Sequence, residues 1–111
     1  MIFITGPLFA GKRDVACQIL GCNREELARH AVWDVQDLVG QQPLEELVRQ
    51  LEGYSVVIAT EVGGGVVPVD EKQRADREAA GRLACLLAQR ADTVVRVFCG
   101  LPILLKGELP Q

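Results

Sequence analysis

The chain has 111 residues, 49% of them hydrophobic and 24% charged, a composition typical of one globular domain and not of a disordered segment. A net charge of −3 argues against a nucleic-acid partner. No apolar run reaches the roughly 18 residues of a membrane span, and the N-terminus lacks the basic and long apolar regions of a signal peptide. We therefore expect a cytoplasmic protein without membrane or nucleic-acid partners, whose four cysteines are reduced core residues.

Short apolar runs alternate with helical periodicity along the chain, which is typical of βα units. The pattern predicts strands at residues 2–5, 31–34, 55–60 and 93–99, and helices from 11 or 12 to 20, at 24–29 and 43–51, and from 70 or 71 to 91. Glycines 63–65 predict a loop, and the tail from residue 103 has no clear assignment. Because right-handed crossovers place helices on both faces of a sheet, the pattern indicates a three-layer α/β fold with a small, mostly parallel sheet of about four strands.

A phosphate-loop motif follows the first predicted strand. Gly6-Pro7-Leu8-Phe9-Ala10-Gly11-Lys12 is a G-x-x-x-x-G-K sequence between a strand and a helix. In this motif glycines let backbone amides turn inward around an anion, the helix N-terminus adds its dipole, and the lysine reaches the outer phosphates. We predict that these residues and Arg13 bind ATP or GTP in a P-loop NTPase-like domain. The alternative is a βα turn with glycines and a solvent-exposed lysine.

Arg13 departs from the usual motif. Phosphate loops commonly follow the lysine with Ser or Thr, whose hydroxyl binds Mg²⁺. A guanidinium donates hydrogen bonds but cannot ligate a cation. Phosphate binding is therefore expected to survive, whereas Mg²⁺ placement by the usual residue is not.

Two carboxylates are candidates for the same site. Glu61 follows the predicted central strand and Asp34 ends the weaker one. Ligands of open α/β sheets bind beyond the carboxyl ends of the strands, so Glu61 is expected near the phosphate loop, with Lys12, Arg13 or a metal ion between it and the phosphate. The alternative for each is a solvated loop carboxylate.

Several motifs together resemble one family. Residues 58–68, I-A-T-E-V-G-G-G-V-V-P, resemble the N-E-V-G-x-G-I-V-P signature of the adenosylcobinamide kinase/adenosylcobinamide-phosphate guanylyltransferase family. Residues 77–82 are similar to its R-D-x-x-G-R motif, residues 87–94 to its L-A-x-x-A-D-x-V motif, and Gly100-Leu101-Pro102 to its ending.

The resemblance implies a P-loop α/β fold and a role in cobalamin biosynthesis, with ATP or GTP as donor, adenosylcobinamide as acceptor and a trimeric assembly. In a kinase of this kind Lys12 would neutralise the outer phosphates, and Glu61 or Asp34 would hold Mg²⁺ or the attacking hydroxyl. Lys12 and Glu61 are thus the catalytic candidates, and Asp34 and Glu61 the metal-binding candidates. Family members are longer and carry a middle segment that contains a guanylylated histidine. We expect this chain to be one domain over residues 1–111 and to lack that middle segment. The surroundings of His30 do not match that histidine's motif, so its role is not transferred.

Three functions remain open at this point. The first is a kinase that phosphorylates a cobinamide alcohol and has lost the guanylyltransferase half. The second is a non-catalytic nucleotide- or corrinoid-binding protein, which Arg13 favours. The third is an oligomeric scaffold without a ligand, against which three consecutive glycines argue because they weaken a fold unless the backbone needs them.

Overall fold

A five-stranded sheet forms the centre of the computed structural model, which describes residues 1–62 and 70–109. Its strands are β1 (Ile2–Gly6), β2 (Ala31–Val32), β3 (Val56–Thr60), β4 (Thr93–Phe98) and β5 (Leu101–Lys106), in the spatial order β2-β3-β1-β4-β5. Strands β1 to β4 pair in parallel, and β5 pairs antiparallel to β4 at the edge. Strands β1 and β3 are therefore neighbours. This arrangement brings the residues that follow β3 close to the loop that follows β1.

The helices are α1 (Lys12–Leu20), α2 (Arg24–His30), α3 (Leu44–Leu51) and α4 (Glu71–Arg90), with a 3-10 helix at Val35–Leu38. Their ends are determined by local chemistry. The side chain of Asn23 accepts the amide of Glu26, and that of Asp70 accepts the amide of Gln73, so each caps the helix that follows. Gly21 ends α1 in the left-handed conformation that glycine adopts without a steric penalty.

Helices cover both faces of the sheet. One face of the sheet, including Phe3 and Val57, packs against α3, α4 and the 3-10 helix. The opposite face, including Ile4 and Ile58, packs against α1 and α2. The structure thus confirms the predicted three-layer α/β fold with a mostly parallel sheet. No helix among the described residues is long and apolar enough to cross a bilayer.

The fifth strand is one more than the approximately four expected. Gly100 and Pro102 were expected to stop the strand predicted at 93–99, and β4 does end at Phe98. Cys99 and Gly100 both have positive φ angles and form the two-residue turn of a hairpin that leads into β5. Pro102 is tolerated in β5 because this is an edge strand, where a missing N–H costs no ladder hydrogen bond. The predicted strand at 31–34 is shorter, because Asp34 has a φ of 57° and begins the 3-10 helix. The predicted glycine loop lies outside the described residues.

The cysteines are free, as expected; Cys17 and Cys22 pack against the core, but the placement of Cys85 and Cys99 in the core is wrong. Cys85 and Cys99 are exposed, and Cys17 and Cys22 are half-buried. Cys99 is exposed because it lies in the hairpin turn, and Cys85 because it lies on the outer side of α4.

Candidate functional site

The phosphate loop joins β1 to α1 as the motif predicts. Gly6 ends β1 and packs so closely on the carbonyl of Val97 in β4 that a Cβ atom would overlap it. Gly11 precedes α1 with a φ of 88°, and Phe9, at a φ of 61°, is 95% exposed at the apex. The amide of Gly100 donates to the carbonyl of Ala10 over 2.8 Å, so the β4–β5 turn supports the loop from the side.

Lys12 is buried at the base of this loop. Its residue exposure is 8%, and its Nζ donates to the carbonyl oxygen of Pro7 over 2.7 Å. Burial lowers the pKa of the amine, and the negative charges of Asp34 and Glu61 oppose that shift. The alternative of a solvent-exposed lysine therefore does not fit: the amine lies within the curve of the loop, where the motif requires it.

A cavity of about 320 Å³ opens beside the loop. Three cationic residues, Lys12, Arg13 and Arg24, line it together with Asp14 and Asp34. Arg24 donates to Asp14 over 2.6 Å, so this cation is partly neutralised. Lys12 and Arg13 then remain against the carboxylate of Asp34, and this excess of positive charge makes the cavity suited to an anionic group.

Arg13 lies against an aromatic ring. Its guanidinium carbon is 5.4 Å from the centre of the Trp33 ring, a cation–π distance. The residue that replaces the usual hydroxyl is therefore held at the cavity wall by Trp33. From there it can contribute positive charge to a bound anion, but it offers no oxygen to a metal ion.

Glu61 lies where the sequence predicts, beside the root of the phosphate loop. Its backbone amide donates to the carbonyl of Gly6 over 2.9 Å. Its carboxylate, however, is held by Arg96, whose Nε donates to Oε1 over 2.6 Å and whose Nη2 donates to Oε2 over 3.0 Å. These hydrogen bonds hold the pKa of Glu61 below its ordinary value, with further contributions from the charges of Arg96 and Lys12.

Arg96 is the residue that sequence reasoning missed. It lies on β4, whereas Glu61 follows β3, and β1 runs between these two strands. The ion pair therefore crosses the carboxyl end of β1, directly beneath the start of the phosphate loop. The signal in the sequence was a single arginine within the apolar strand T-V-V-R-V-F, but its partner depends on strand order, which periodicity does not reveal.

Asp34 lines the cavity beside the phosphate loop. It precedes the 3-10 helix, which Gln36 ties to β3 by accepting the amide of Thr60 over 2.9 Å. Within residues 1–62 and 70–109 no three His, Cys, Asp or Glu side chains are grouped as metal ligands. Glu61 does not line this cavity, and Arg96 engages both of its carboxylate oxygens. The assignment of Asp34 and Glu61 to Mg²⁺ therefore stays a prediction.

His30 ends α2, and its carbonyl accepts the amide of Ser55. Its side chain is exposed. Since it is absent from the residues that line the cavity beside the loop, nothing in its position supports a nucleophilic role.

Comparison with known proteins identifies a family and a relative. A family described as cobinamide kinase / cobinamide phosphate guanyltransferase matches residues 29–105. The Bifunctional adenosylcobalamin biosynthesis protein CobP of Pseudomonas aeruginosa is 38% identical over 76 residues, which are 68% of this chain and 44% of that relative. The chain thus spans less than half of the relative, and the family match includes Asp34, Glu61 and Arg96 but begins after the phosphate loop. Because the family match covers more than half of the sequence, the chain belongs to the cobinamide kinase / cobinamide phosphate guanyltransferase family.

Proposed function

We propose that this chain is a nucleotide-binding protein of cobalamin biosynthesis that transfers a phosphoryl group from ATP or GTP to the alcohol of a cobinamide. The observation that carries the proposal is the buried Lys12, whose Nζ lies within the loop 2.7 Å from the Pro7 oxygen and beside a cationic cavity. A lysine held in this way can transfer its hydrogen bonds from a carbonyl to a phosphate when the nucleotide enters.

Each group of residues has a role in this proposal. The backbone amides of residues 6–11 surround the phosphates, and Lys12 neutralises the charge that develops on the transferred group. Arg13 adds positive charge from the cavity wall. The acceptor hydroxyl attacks the terminal phosphorus, the bond from phosphorus to the bridging oxygen breaks, and the hydroxyl proton leaves to a carboxylate or to water. Since its hydrogen bonds to Arg96 keep Glu61 ionised, we assign it an orienting and electrostatic role.

The guanylyltransferase half belongs to the segment that this chain is proposed to lack. We propose one nucleotide-binding domain in which no residue substitutes for the family's guanylylated histidine. A labelled-GTP experiment tests this: we expect no acid-labile guanylylated protein, and its appearance on His30 would contradict the proposal.

A second candidate is a non-catalytic nucleotide or corrinoid binder. The position of Arg13 against Trp33 favours it, because the loop then has a fixed cation where a kinase has a Mg²⁺ ligand. Enzyme and binder differ in their need for Mg²⁺, which gives a direct test. The scaffold alternative is that the loop holds no ligand.

Thermal unfolding with ATP, GTP or GDP, with and without Mg²⁺, separates the three functions. Ligand at 100 times its dissociation constant should stabilise the protein by about 2.7 kcal/mol. Stabilisation that needs Mg²⁺, followed by phosphorylation of cobinamide by labelled nucleotide, supports the kinase. Stabilisation without Mg²⁺ and without turnover supports the binder, and no stabilisation by any nucleotide supports the scaffold.

A further inference from the structure

Arg96 has no role in the proposed reaction, although it makes a two-point contact with Glu61 beside the phosphate loop. The pair is bidentate and lies across the carboxyl end of β1, on the face of the sheet that α4 covers. Parallel register places Thr5 of β1 opposite both Ala59 and Arg96, so the pair passes over the last residues before the loop. A two-point contact fixes both the position and the direction of a carboxylate.

The position of the Glu61 carboxylate matters because Glu61 and Lys12 are both attached to the first turn of the loop. The amide of Glu61 donates to the carbonyl of Gly6 over 2.9 Å, and Nζ of Lys12 donates to the carbonyl of the next residue, Pro7, over 2.7 Å. Each of the two charges shifts the pKa of the other. Lys12 is buried, and its present hydrogen bond is to the neutral carbonyl of Pro7. An unrestrained Glu61 would therefore compete for the amine with any phosphate in the loop, because a carboxylate and a phosphate seek the same donor.

We propose that Arg96 is a positioning residue that holds the Glu61 carboxylate away from Lys12, so that the lysine stays available to a bound polyphosphate. The inference deepens the proposed function, since it concerns the same phosphate loop, and it extends to a residue outside the loop motif. Arg96 need not touch the ligand, because its effect passes through Glu61. Removing Arg96 should then be harmful only while Glu61 retains its charge.

A double-mutant cycle tests this dependence directly. The probe is inorganic tripolyphosphate in EDTA, measured by isothermal titration calorimetry, so that neither a nucleobase, a metal ion nor turnover is required. We expect Arg96→Ala to weaken affinity about tenfold, a coupling within the range of neighbouring charged groups. Adding Glu61→Gln to Arg96→Ala should bring affinity back to within about threefold of Glu61→Gln alone. Arg96→Lys should recover part of the loss.

A matched control removes an equivalent ion pair elsewhere. Arg90 on α4 donates to Glu52 over 2.9 Å, remote from the loop. Arg90→Ala changes the net charge as Arg96→Ala does, and we expect it to leave tripolyphosphate affinity unchanged. A loss equal to that of Arg96→Ala would show a general effect of charge and overturn the inference.

The remaining outcomes are equally decisive. If the double variant stays as weak as Arg96→Ala, Arg96 contacts the anion or supports the loop itself, and the inference is wrong. It is wrong too if Arg96→Ala binds normally or the unmodified protein does not bind tripolyphosphate. Failure of the proposed kinase activity gives a different result. The double-mutant cycle then shows the expected coupling between Arg96 and Glu61, but cobinamide is not phosphorylated.

Discussion

Arg13 determines how the phosphate loop can use Mg²⁺. The guanidinium rests on Trp33 and presents charge, whereas a hydroxyl at the same position would present a metal ligand. The choice between a kinase and a binder therefore depends on one side chain at the start of α1. Its replacement is the most direct test of that choice.

Arg13→Ser should increase the Mg²⁺ dependence of nucleotide binding. The substitution removes a fixed positive charge and supplies the oxygen that phosphate loops use for the cation. We expect weaker stabilisation by GTP in EDTA and stronger stabilisation with Mg²⁺, measured by thermal unfolding. Arg29→Ser, which removes an exposed arginine of α2, should change neither. An unchanged Mg²⁺ response of Arg13→Ser would contradict this interpretation of the loop.

Lys12→Ala should abolish stabilisation by any nucleotide. The side chain is the loop's buried cation, and its loss also leaves the Pro7 oxygen without its 2.7 Å donor. The free protein should still fold, since the other walls of the loop are backbone. Thermal unfolding with and without ATP or GTP measures both effects. Full retention of nucleotide stabilisation would exclude every function that depends on this loop.

The stabilisation of the fold by the Glu61–Arg96 pair should be lost as the pH falls. Hydrogen bonds from Arg96 lower the folded-state pKa of Glu61 below its ordinary value of about 4.3. The unfolded chain then binds more protons near that pH, so the stabilisation by the pair is complete above about pH 4.3 and is lost as pH falls through the folded-state value. Arg96→Ala should melt below the unmodified protein at pH 7, and the gap between the two melting temperatures should narrow as the pH falls below the ordinary pKa of a glutamate. A gap that does not change with pH would show that the pair does not stabilise the fold through the charge of Glu61.

At the scale of elements, local chemistry predicted most of the fold. The periodicity of β1, β3 and α4 acts within a few residues, so sequence reasoning located these elements to within a residue or two. The hairpin strand β5 was missed because Gly100 and Pro102 are residues that commonly end a strand. Only pairing with β4 places Gly100 in a hairpin turn and Pro102 in an edge strand. Arg96 was missed for a related reason, since its partner is two strands away.

The approach of β1 to β4 gives a prediction for one glycine. A methyl group at Gly6 would overlap the Val97 carbonyl, whereas one at Gly100 would meet open space although its φ is 75°. Gly6→Ala should therefore destabilise the protein by about 3 kcal/mol, because backbone strain and steric overlap add. Gly100→Ala should cost only about 1 kcal/mol for the left-handed backbone. Urea unfolding measures both, and equal losses would show that the strand ends can move apart.

At the scale of the whole molecule, the sheet gathers the site from distant parts of the chain. The phosphate loop follows β1, Asp34 follows β2, Glu61 follows β3, and Arg96 lies near the end of β4. Because these four strands are parallel, their carboxyl ends meet at one edge. The topology therefore explains why residues with no shared motif lie at one edge of the sheet. The phosphate loop and Asp34 line the cavity there, and the Glu61–Arg96 pair lies beside it.

The hairpin of β4 and β5 carries an exposed apolar surface, which is consistent with the trimeric assembly that the family resemblance implies. Leu101 and Leu105 are 66% and 59% exposed, and Phe98, Ile103 and Leu104 beside them are also exposed. Apolar side chains grouped on one strand are typical of a protein interface, and a second copy of this chain offers the same apolar strand. We expect light scattering to show an oligomer, a trimer by family resemblance, that Leu101→Glu with Leu105→Glu converts to a monomer. Tyr54→Glu, at an exposed aromatic residue before β3, should leave the oligomer intact. A monomeric unmodified protein, or a hairpin variant of unchanged mass, would show that this surface does not join copies of the chain.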